Sequence, residues 1–131
     1  MANEECNQAT QQIKQLAKRW NEMYAAEEFE AMKDLATEDV GIANTKVSTY
    51  PSGLIYGRQA YYDGIVGAYG KEHHLLVMDY EGWEYIPLGP NRFYTIGRYT
   101  LQPDEVGVNC WLLRRDSVDD PWRIFRVINN N

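Results

Sequence analysis

At 131 residues, with 44% hydrophobic and 24% charged side chains, the chain suits one globular domain burying roughly two-thirds of its unfolded surface. A net charge of −6 sets nucleic acid and anionic membranes aside as general partners, so any anion would need a local cluster of cations. The two cysteines fit no metal or redox motif and read as free thiols of a cytoplasmic protein, with no secretion signal at Met1–Glu5 and no apolar run of membrane-spanning length.

In chain order, residues 1–6 are expected to fray ahead of an amphipathic helix over Glu5–Ala26. Ile13, Leu16, Ala17, Trp20, Met23 and Tyr24 recur there at three- and four-residue spacing, with Lys14, Lys18 and Glu22 off the stripe. Glu27–Ala36 predicts a shorter helix, its acidic start suited to the positive end of the helix dipole. Short strands follow at Val40–Asn44 and Leu54–Tyr56, then a third helix over Arg58–Tyr69 that Gly64 and Gly67 weaken. Beyond Lys71 the pattern is strand. His74–Ile86 reads as one long strand bent by a bulge at Gly82, Leu88–Asn91 as a turn, and Arg92–Leu101 as the next strand. A final hairpin joins Val106–Asp116 to Trp122–Ile128 across an acidic turn.

Strand alternation puts Trp122, Ile124, Arg126 and Ile128 of that last strand on one face, with Phe125 and Val127 on the other. Both faces seek cover, which suggests helices on one side and a second subunit on the other. The order of elements predicts an α+β domain spanning 1–131.

Several motifs together resemble the nuclear transport factor 2-like superfamily, in its SnoaL-like branch. They are Trp20 near the end of the first helix, Glu28–Val40 running into the first strand, Gly57-Arg-Gln-Ala60 opening the third helix, and Trp122-Arg-Ile-Phe125. The resemblance implies three helices packed in the concave face of a curved, mostly antiparallel sheet, a cone with an open-ended cavity that dimerises through the sheet. Trp111–Asp116 and Trp122–Phe125 are also similar to the association domain of calcium/calmodulin-dependent kinase II, as is Ile96-Gly-Arg98, whose arginine there enters the pocket. Two further arginines of that pocket correspond to Asn109 and Asn129.

The ketosteroid isomerase branch of such folds needs a carboxylate base, a phenol and a protonated acid around an enolate oxygen. By position these fall at Asn44, Trp20 and the stretch Asn109–Trp111, where no side chain can take up a proton at neutral pH. That mechanism is therefore not expected. Other single-base candidates are Asp79 within an apolar strand, Asp39 at the entry to the first strand, and His74. Each also has a plain structural reading, as a paired, capping or exposed group. Neighbouring His73 and His74 point to opposite strand faces and do not suit one metal ion, and no cofactor is implied.

The expectation is a dimer binding a small, partly apolar anion, with Arg98 and Arg126 on the anion and Trp20, Tyr24, Asn44 and Asn109 shaping the wall. Arg98 is equally suited to a salt bridge with Asp79 or Glu84, and Arg114 and Arg115 are expected in solvent or paired with Asp116, Asp119 or Asp120. The alternatives are a polyketide cyclase, dehydratase or isomerase with one pocket base, and an assembly domain with a vestigial pocket.

Overall fold

The computed structural model describes residues 3–44, 54–70, 75–102 and 105–130. Helix α1 (Asn3–Ala25) buries Ala9, Ile13, Leu16, Ala17, Trp20 and Tyr24, the stripe that its spacing predicts. It begins before the expected position: Glu4 and Glu5 lie in its first turn, and Cys6 packs against the core instead of fraying. Helix α2 (Phe29–Met32) is a single turn, tightened through a 3-10 turn at Lys33–Leu35 into strand β1 (Ala36–Asn44). The predicted second helix therefore loses its C-terminal half to turn and strand. Strand β2 (Leu54–Tyr56) and helix α3 (Arg58–Gly70) follow, with Gly57 at positive φ between them.

The predicted long strand over His74–Ile86 is interrupted. Its pieces are β3 (Val77–Met78), a 3-10 turn at Tyr80–Gly82, and β4 (Glu84–Gly89), with both strands pairing with β5 (Arg92–Gln102). The break is at Asp79, whose backbone donates to Arg98 O while its own carbonyl accepts from Gly82 N. Strands β6 (Glu105–Arg114) and β7 (Arg123–Asn130) complete a sheet of order β2-β1-β7-β6-β5-β3, with β4 beside β5. All neighbours are antiparallel except β1 and β7.

One sheet face takes the helices. Phe93, Thr95, Tyr99 and Leu101 of β5, Asn109, Trp111 and Leu113 of β6, and Ile124 and Val127 of β7 are buried there. The opposite face leaves Ile86, Val106, Val108 and Ile128 exposed. The predicted faces of β7 need correction. The register slips between Leu112↔Arg126 and Leu113↔Ile124, so Phe125 is a bulge residue and parity reverses past it. Val127 turns inward with Ile124, while Arg126 and Ile128 turn outward. Arg126 consequently lies over the rings of Tyr56 and Phe125 and donates to the carbonyls of Asp39 and Phe125.

Two glycines shape the inner face. A Cβ at Gly97 would overlap the Trp83 ring, and one at Gly107 would meet the Tyr99 ring. Trp83 also packs edge-on against Trp111 and donates Nε1 to Arg98 O.

Candidate functional site between helices and inner sheet face

The C-terminal half of α1 supplies an aromatic wall. Trp20 and Tyr24, one turn apart, stack with ring centroids 4.9 Å apart, and Tyr24 meets Phe29 and Tyr69 edge-on. Trp20 Nε1 donates to the Tyr61 hydroxyl from α3 at 3.0 Å, which leaves the phenol its own O–H as a donor. Burial pushes the Tyr61 phenol far above its ordinary pKa. Burial, with Tyr69 beside it, does the same for Tyr24. These phenols stay protonated at neutral pH and can donate hydrogen bonds, but they cannot serve as bases.

Within the sheet, cross-strand register aligns Asn44 of β1, Asn129 of β7, Asn109 of β6 and Gly97 of β5 in one row. Sequence reading singled out the three asparagines separately; the topology makes them neighbours. Asn109 is 0% exposed, yet neither its amide nitrogen nor its oxygen has a hydrogen-bond partner, and Asn129 Oδ1 is likewise unpaired. A buried amide without a partner costs on the order of 1–3 kcal/mol, which folded chains seldom leave uncompensated. Thr95 Oγ1, on the same face beside Trp111, is a further unpaired group. The side chain of Asn44 and all of His73 and His74 lie outside the described residues.

The charged candidates are elsewhere. Arg98 is on the outer face, giving Nε to Asp79 Oδ2 at 3.0 Å, and Thr100 Oγ1 donates to the same oxygen. The pair borders a groove of about 500 Å³ between α1 and the Val77–Gly82 segment, where the Asn21 amide exchanges hydrogen bonds in both directions with the Met78 backbone. Arg126 is also outward, two strands from Arg98 and four residues away in register, roughly 16 Å by standard strand spacings. The two arginines do not converge on one anion. Asp39 forms a bidentate pair with Arg114, at 2.6 and 3.3 Å, at an exposed rim.

Arg115 departs most from expectation. It is only 7% exposed and pairs with none of the acids of the turn. Its guanidinium lies over Trp122 and donates to Asn91 Oδ1, Gln12 Oε1 and Pro90 O. Its place just past the end of β6, in phase with the inward residues Asn109, Trp111 and Leu113, is the sequence signal that would have revealed it.

Among the described residues, the buried polar and charged side chains outside the aromatic set are Thr37, Thr95, Asn109 and Arg115; none is a carboxylate or imidazole. No group of three or more potential metal ligands occurs among them, both cysteines are free, and no described helix is long and apolar enough to cross a membrane.

A curved sheet wrapped around three helices defines the nuclear transport factor 2-like, cystatin-like cone fold, and comparison with solved structures shows that this chain has it. An NTF2-like protein of unknown function from Shewanella oneidensis superposes with a TM-score of 0.71 at 20% identity, covering 94% of this chain and 99% of its own. A putative scytalone dehydratase from Novosphingobium aromaticivorans gives 0.66 at 13% identity, over 98% and 87% of the two chains. The hexachlorocyclohexane dehydrochlorinase LinA-type3 from Novosphingobium barchaimii gives 0.71 at 10% identity, over 98% and 90%. No family model and no curated protein sequence matches the chain.

Proposed function

We propose that this protein binds a small, partly apolar, uncharged molecule between its helices and inner sheet face, and acts as a dimer through the outer face. The observation that supports this most directly is the Asn109 amide, buried and unpaired on the inner sheet face. Such a group gains most from a ligand offering both a donor and an acceptor. The anionic ligand expected from Arg98 and Arg126 loses its basis inside the cone, because both cations face outward. A dehydratase- or dehydrochlorinase-type reaction would need an interior base, and the tyrosines there are held protonated. The dimer reading rests on Val106, Val108 and Ile128, apolar side chains exposed on one sheet face.

Titration with benzamide tests the ligand reading. The side-chain amide signals of Asn109 should shift with benzamide and not with benzoate, and Asn109→Leu should abolish the accompanying shift of the Trp20 indole N–H signal. Shifts confined to surface residues would overturn it. Val108→Arg should convert the dimer to monomer in sedimentation; an unchanged mass would overturn the dimer.

A further inference from the structure

Away from the Asn109 site, a second cleft of about 480 Å³ opens where the start of β1, the start of α3 and the end of β6 meet. Four arginines border it, Arg58, Arg114, Arg115 and Arg123, of which Arg115 turns its guanidinium away onto Trp122, Asn91, Gln12 and Pro90. Only Arg114 is paired with a carboxylate, that of Asp39. Arg58 gives Nε and Nη2 to Ala36 O, at 2.9 and 2.8 Å, and Arg123 gives Nε to Asp34 O at 3.2 Å. The two guanidiniums are thus anchored on carbonyls two residues apart, and neither forms an ion pair among the described residues. Neutral anchors leave each charge uncompensated, and a guanidinium held in place presents a rigid fork for a carboxylate.

The same cleft is lined by Asp34, Glu38, Asp116 and Asp120, none of which forms an ion pair among the described residues. Cations pinned to the backbone and acids facing the same volume therefore stand apart. A simple anion would meet the acids and a simple cation the arginines. A molecule carrying both charges satisfies both sets. The volume is that of a metabolite site, too small for a folded partner.

We infer that the cleft formed by Arg58, Arg123 and the facing acids is a binding site for a small zwitterion of the amino-acid type, its carboxylate on the two arginines and its ammonium on the acids. The test follows the arginine Nε–H signals of the intact protein during titration with leucine, phenylalanine, glutamate, lysine and glycine. The N-acetyl and carboxamide derivatives of each serve as controls. At least one free amino acid should shift the Arg58 and Arg123 signals saturably, and blocking either charge should weaken it by about tenfold or more. Arg123→Gln and Asp120→Asn, both at the surface, should each weaken the free amino acid while leaving the fold intact by circular dichroism. Silence from all five would overturn the inference, as would equal binding of the N-acetyl forms, which would make the cleft a plain anion site, or of the carboxamides, which would make it a cation site. Binding unaffected by both substitutions would also overturn it. Shifts here and at Asn109 are read separately, so failure at one site leaves the other standing.

Discussion

Asn109 in β6 and Arg115 just past its end stand six residues apart, both buried, and they solve the burial of a polar group in opposite ways. Arg115 is surrounded by acceptors, so its charge is solvated by the protein: two side-chain oxygens, a carbonyl and the Trp122 ring replace water. Arg115→Met should therefore lower stability by about 2–3 kcal/mol in urea unfolding. A loss under about 0.5 kcal/mol would mean that the network contributes nothing net. Asn109 has no such surroundings, and Asn109→Leu should raise the stability of the unliganded protein by about 1–2 kcal/mol. A destabilised Leu variant would point instead to an ordered water completing the amide. The missing partner of Asn109 was not legible in sequence. The acidic turn after Asp116 drew Arg115 toward solvent on composition, whereas its position in the strand's alternation decides its burial.

At the scale of elements, helix α1 and strand β2 fall nearly where periodicity and turn residues set them, because a long apolar stripe and a short run ended by glycine are local signals. Strand β7 was legible as a strand but not in its facing. One extra residue at Phe125 reverses every side chain beyond it, and that insertion is dictated by pairing with β6, a partner that local sequence cannot reveal. The Arg98–Asp79 pair was foreseeable as one of two readings, since both residues lay in the strand region. What the sequence left hidden is that β3 and β4 are separate strands on the same edge of β5. Glycines 97 and 107 look like weak points in strands, yet each is where a ring lies flat on the backbone. Gly97→Ala should cost about 1–3 kcal/mol by displacing Trp83, read as a lower urea midpoint and an altered near-ultraviolet dichroism of tryptophan. An unchanged midpoint would mean that the indole moves aside freely.

The whole molecule separates its chemistry by side. Burial lifts the phenols of Tyr24, Tyr61 and Tyr85 well above the ordinary value, with Tyr99 lifted as well. The sign for stability follows directly. The folded state holds these protons more tightly than the unfolded chain, so their contribution is complete below a pH of about 10 and is lost as pH rises toward the folded values. Phenolate absorbance should therefore rise in two stages, with the buried tyrosines titrating only as dichroism reports unfolding. A single wave of all ten tyrosines in a still-folded protein would contradict their burial.

Strand β7 lies between β1 and β6, joined to β1 in parallel, so strands formed from opposite ends of the chain are adjacent in the sheet. During synthesis β1 emerges early and can pair with β2 alone until the last strand leaves the ribosome. The sheet therefore closes only once β7 has been made, and its apolar inner face waits until then. A nascent chain halted before Arg123 should remain protease-sensitive, and one released past Asn130 should not. For this fold, the timing of translation sets when the interior comes into being.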